Sequence, residues 1–145
     1  MKQLMLYGLV CGLLLGCAGN RARTLDPAVQ AAQEKAAAEK AVLEKKIETN
    51  MAIDPNFIPF QKLSPKLDDI GKGQLLRLLP RLKASKAIVV RGYCYRGDIG
   101  NAKAASQARA VEVKDFMTKA GIPENHITVR FDTGRKLHGV QLHYK

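Results

Sequence analysis

The chain has 145 residues, room for one compact domain with some attached length and not for two domains of ordinary size. Lys and Arg number 24 against 13 for Asp and Glu, giving a formal charge of +11. A balance this basic favours anionic partners, whether nucleic acid, lipid head groups or the acidic polymers of a cell envelope, and does not choose among them.

In chain order, "MKQLMLYGLVCGLLLGC" puts one cation, Lys2, ahead of an apolar run from Leu4 to Leu15 and then small residues. That is the layout of a secretory signal. The run is too short for a membrane span, which takes roughly 20 apolar residues. Its end, Leu14-Leu15-Gly16-Cys17, resembles the bacterial lipobox, in which the cysteine after the cleavage site receives a diacylglycerol. The alternative is an ordinary signal peptide with an incidental cysteine. The resemblance implies a signal peptide over residues 1–16 and lipidation at Cys17. Several palmitate-like acyl chains on one cysteine hold a membrane firmly, at ~0.8 kcal/mol per buried methylene. Ala18 in the next position implies the outer membrane, periplasmic face. Cys11 leaves with the signal, so the mature chain keeps Cys17 and Cys94, and with Cys17 acylated no disulfide forms within it.

Residues 17–26 read as a lipidated tether, small and polar, without apolar periodicity. Asp26 offers a capping oxygen and Pro27 a preset φ, so a helix is predicted over residues 27–50. Ala28 to Thr49 is alanine, glutamate and lysine with no glycine or proline. Its apolar stripe (Val29, Ala32, Ala36, Leu43, Ile47) is thin, which favours a solvated spacer. A weak coiled coil or docking strip is the rival, since Val29, Ala36 and Leu43 fall seven apart.

"MAIDPNFIPF" marks the entry to a domain over residues 53–145. Phe57 to Phe60 reads as a short edge strand that tolerates Pro59. Ser64-Pro65 predicts a helix start, and Pro80 its end. Ile88-Val89-Val90, apolar in succession, predicts a strand covered on both faces. A helix from about Asn101 to Ala120 stops at Gly121, and strands follow at "HITVRF" and "GVQLHYK". The order strand, helix, strand, helix, strand, strand (βαβαββ) predicts an α+β, two-layer sandwich with helices on one sheet.

The segment "IVVRGYCYRGDIGNAKAASQARAVEVKDFMTKAGIPENHITV" resembles the OmpA-like (Pal-like) peptidoglycan-binding domain. A strand I-x-V-x-G (Ile88, Val90, Gly92) leads through a loop to a helix with S-x-x-R-A (Ser106, Arg109, Ala110). A glycine-isoleucine stop (Gly121, Ile122) and a strand from Ile127 follow. The resemblance covers residues 53–145 and implies non-covalent capture of the diaminopimelate end of the stem peptide. There the arginine takes a carboxylate by two parallel bonds, and Arg109 maps onto it. The family's aspartate just after the strand is replaced by Tyr95, a neutral phenol. Asp98 lies three residues on, in a loop about one residue short. Asn101 stands near the family's helix-leading asparagine, and Leu137-His138-Gly139-Val140 replaces the usual N-R-R-V. The ligand set implied by the resemblance is therefore Arg109 with Tyr95, Asp98 and Asn101.

Rival constellations are weaker. Cys94 with His126, His138 and His143 lacks metal-ligand spacing, and Cys94 reads as a semi-buried loop thiol. Tyr93, Tyr95, Arg91 and Arg96 resemble a base-stacking cluster, but an envelope address argues against nucleic acid. No nucleophile, base and orienting acid hang together, so neither an enzyme nor any cofactor beyond the lipid is expected. Two functions of different class remain. One is a scaffold subunit of an envelope assembly, such as a secretion, conjugation or pilus outer-membrane complex. The other is a stand-alone lipoprotein that binds peptidoglycan.

Overall fold

The computed structural model describes residues 26–145; the signal, the lipobox with Cys17 and all of the tether but Asp26 lie outside the described residues. The elements are α1 (Pro27–Ile53), β1 (Phe57–Pro59), α2 (Asp69–Ala84), β2 (Ile88–Cys94), α3 (Ala102–Lys119), a single 3-10 turn (Glu124–His126), β3 (Ile127–Asp132) and β4 (His138–Tyr144). They form a four-stranded sheet in the order β1-β4-β2-β3. β2 and β3 run parallel, joined across α3, because parallel neighbours need a long crossover. β4 returns antiparallel to both β2 and β1. This is the α+β architecture predicted from the element order. No helix among the described residues is long and apolar enough to cross a membrane.

The period of two along each strand sorts the sheet into two faces. Ile88, Val90 and Gly92 of β2 are in register with Ile127, Val129 and Phe131 of β3 and with Tyr144, Leu142 and Val140 of β4. These rows meet the helices. Leu75, Leu78 and Leu82 of α2 and Val113 and Met117 of α3 complete the core, each fully buried leucine contributing about 1.5–3 kcal/mol. The other face, with Val89 and Arg91, carries no helix. The expectation that Ile88-Val89-Val90 is covered on both faces is corrected: β2 is central by hydrogen bonding, with strands on both sides, but Val89 and Arg91 on the face away from the helices are only half-buried, and that face is closed only at Tyr93.

Two close approaches explain the motif residues. A Cβ on Gly92 would lie 1.9 Å from the Ser106 carbonyl oxygen, so glycine there lets α3 press against β2. Gly121 has φ +92, and its amide and that of Ile122 donate to the carbonyls of Thr118 and Met117. That left-handed stop ends α3 and returns Ile122 to the core.

α2 departs from its predicted bounds at both ends. It starts at Asp69, capped by Asp68, whose carboxylate accepts from the Gly71 amide at 2.8 Å. Ser64-Pro65 instead belongs to an extended loop. Pro80 lies inside the helix, which continues to Ala84. Pro80 and Leu76, the residue whose carbonyl it leaves without a helical partner, are both exposed, where water serves the freed oxygen. At the other end of the chain, Asp26 makes no side-chain cap on α1; its backbone carbonyl accepts from Val29 and Gln30 instead. α1 runs on to Ile53 and has two characters. Its residues before Leu43 are exposed, whereas Ile47 is buried against Gly73 of α2, whose missing Cβ makes the room. Glu44 pairs with Arg77 beside it. Gln74, fully buried, donates to the carbonyls of Pro55 and Phe57 at 3.0 and 2.8 Å and so secures the turn between α1 and β1.

Candidate functional site

The residues singled out by the motif gather where the C-terminal end of β2, the first half of α3, the loop after β1 and the start of β4 meet. Arg109 sits on α3 one turn after Ser106, on the face turned to the sheet, and is 1 % exposed. A buried guanidinium needs acceptors for five N–H groups. All five are met by the chain itself. Nε donates to the Ser64 carbonyl at 3.3 Å, and Nη2 to those of Gln61 and Lys62 at 3.0 and 2.7 Å. Nη1 donates to the Tyr93 carbonyl at 2.8 Å and lies 3.4 Å from His138 Nδ1. The Phe60 ring stands 5.8 Å from the guanidinium carbon. Arg109 thus ties the loop after β1 to α3 and to the end of β2.

His138 extends the chain of contacts outward. With Nδ1 receiving from Arg109, the imidazole carries its proton on Nε2, which donates to Asp98 Oδ2 at 2.9 Å. Asp98 Oδ1 meets Lys62 Nζ at 3.2 Å. The His138 hydrogen bond first, and Lys62 second, hold the Asp98 carboxyl below the usual carboxylate range. The acid therefore reaches Arg109 through an imidazole rather than directly.

Beside this network lies a groove of about 330 Å³, walled by Leu63, Pro65, Ile99 and the small residues Ala104, Ala105 and Ala108, with Lys62, Ser64, Asn101 and one side of Arg109. Of the residues the sequence implicated, Arg109 and Asn101 line it. Asn101 precedes α3 and makes no side-chain cap. Asp98 approaches it by way of Lys62. Tyr95 does not line it: its ring lies against Gly97, and Lys136 Nζ sits 5.8 Å over that ring. Cys94, expected as a semi-buried loop thiol, is the fully buried last residue of β2 and the register partner of His138. Among the described residues no group of three or more His, Cys, Asp or Glu side chains is arranged to hold a metal ion.

Sequence reasoning missed Lys62 as a groove wall and gave His138 no part in the network. Lys62 precedes a Ser-Pro that reads as a helix start, which hides the loop. His138 stands in place of the N-R-R-V segment, and that displacement was the signal for a polar replacement.

No protein-family model matches the sequence, and no curated protein matches it. Solved structures do share the fold. The C-terminal domain of Helicobacter pylori MotB aligns with a TM-score of 0.55 and 12% identity over 61% of this chain and 83% of that one. The peptidoglycan-associated lipoprotein from Burkholderia pseudomallei aligns with a TM-score of 0.55 and 19% identity over 63% of this chain and 97% of that one. At such identities the likeness is one of fold, and the fold is of the OmpA-like type.

Proposed function

We propose that this chain is an outer-membrane lipoprotein, lipidated at Cys17, whose OmpA-like domain scaffolds an envelope assembly on the periplasmic side, next to peptidoglycan. The single observation that carries the scaffold reading is the saturation of Arg109. A guanidinium that grips a ligand carboxylate must offer two parallel N–H groups to it, and here every N–H already has an acceptor within the chain. Truncation to a structural tie leaves a groove walled by alanine, leucine, proline and isoleucine, which suits an apolar side chain of a neighbouring subunit. The fold shared with a peptidoglycan-associated lipoprotein supports the address, as does the lipobox resemblance. The assembly is of the secretion, conjugation or pilus outer-membrane kind, and no catalysis is required of the chain.

A second reading is favoured by the Lys62–Asp98 pair, exposed at the groove. An ammonium and a carboxylate side by side match the carboxylate and ammonium of a diaminopimelate unit, so these residues would replace the family's pair and the chain would bind the stem peptide alone. Sedimentation of the full chain with purified sacculi separates the two. The scaffold reading expects wild type, Lys62→Ala and Asp98→Ala to be retained equally or not at all, with no effect of free diaminopimelate. Retention that diaminopimelate displaces, and that both variants lose while still melting cooperatively, would overturn it in favour of the clamp.

A further inference from the structure

The face of the sheet away from the helices holds a charge arrangement that nothing among the described residues explains. Arg91 of β2 and Arg130 of β3 are register partners on adjacent parallel strands and so project side by side on that face. Like charges directly opposite each other destabilise a sheet. Among the described residues neither has an acidic partner. The one acid further along β3 on the same face, Asp132, is engaged by Arg135 at 3.7 Å and by the Gly134 amide at 2.8 Å. β3 is also the edge of the sheet, so about half of its backbone N–H and C=O groups point away from β2 with no strand beyond them. On the helix side of the same edge Phe131 is 43% exposed, with Lys103 Nζ 5.5 Å from its ring.

We propose that the free edge of β3 accepts an extended segment of an acidic protein partner as a fifth strand. Addition to an edge gives affinity through main-chain hydrogen bonds and selectivity through alternate side chains. Side chains on one face of the incoming strand lie beside Arg130, and those on the other lie beside Phe131. The segment that fits therefore alternates acidic with apolar residues. Its carboxylates lie beside the Arg130 guanidinium, offsetting the like-charge cost of the Arg91–Arg130 pair and making charge-assisted bonds. A second copy of this chain is a poor occupant, because it brings its own Arg130 and a formal charge of +11 to the same edge.

The test uses full-length chain in detergent and a short synthetic peptide alternating glutamate with valine. The expected result is saturable binding, slowed amide exchange confined to β3, and a loss of affinity on the order of tenfold in Arg130→Glu. A peptide alternating lysine with valine should not bind. Equal binding of polyglutamate without amide protection would overturn the proposal, since it reduces the surface to unspecific charge. Failure of the alternating peptide to bind overturns it as well. So does an Arg130-dependent attachment to phosphatidylglycerol vesicles in place of peptide, which reassigns the face to lipid, or a peptide-free dimer protected at β3, which reassigns it to a second copy. The sacculus experiment is independent of every one of these outcomes.

Discussion

Arg109 and Arg130 carry the same guanidinium on opposite sides of one sheet, and their surroundings differ in every respect. Arg109 is enclosed, with five N–H groups matched by four backbone carbonyls and an imidazole. Arg130 is exposed beside a second arginine, and among the described residues it has no acidic partner. The first is consumed in holding the fold together. The second is free to act on something outside. What an arginine does is thus decided by how many of its donors the chain itself has claimed, and the motif it belongs to does not report that count.

The largest expected effect breaks the enclosed side. Arg109→Ala removes the hydrogen bonds that tie the loop after β1 to α3, and should cost about 3 kcal/mol, since the loop carbonyls regain water only in part. Thermal unfolding should show it as a fall in Tm of roughly 10 °C or more for a domain of this size. Arg109→Lys keeps the charge but brings three donors in place of five, and should recover part of the loss. If Arg109→Ala melts with wild type, the enclosed arginine is not a tie and the contrast fails.

A smaller effect comes from Asp98→Asn. The folded Asp98 carboxyl is held below its ordinary range by His138 and Lys62. Its stabilising contribution is therefore present above the ordinary carboxylate range and lost as pH falls through the lowered folded value. Wild type should melt slightly above the variant at neutral pH, and the gap should close in acid. A gap that persists unchanged below that range would show that the contacts of Asp98 do not depend on its charge. The smallest effect belongs to the open side. Arg130→Glu, placed beside Arg91, should leave stability unchanged or raise it by a few tenths of a kcal/mol by relieving the like-charge pair. Chemical denaturation of both proteins measures it, and a marked destabilisation would mean that Arg130 has an internal role after all.

Much of the fold was legible because its signals are local. Gly92 and Gly121 name a close approach and a left-handed stop, Leu75, Leu78 and Leu82 recur at helical spacing, and Ile127, Val129 and Phe131 alternate. The misread ends of α2 show where local signals compete. Ser64-Pro65 and Asp68 both look like helix starts, and Asp68 prevails because the carbonyls of residues 61, 62 and 64 are drawn to Arg109, a contact 45 or more residues away in sequence. The site was legible only as a list of residues. Arg109 and Asn101 come to one groove, yet the path from Asp98 to Arg109 runs through His138, 40 residues from the one and 29 from the other. No spacing rule links residues brought together by a strand return, and Tyr95, which holds the expected position in sequence, faces elsewhere.

The half-docked first helix sets a mechanical phase. Ile47 and Glu44 fix its last turns to α2, while the turns before Leu43 make one continuous, unsupported rod. Because each added residue advances such a rod by ~1.5 Å and turns it by ~100°, inserting one alanine near Ala37 would swing whatever precedes Pro27 around to a different side of the domain. Inserting seven would nearly restore the heading and change only the reach.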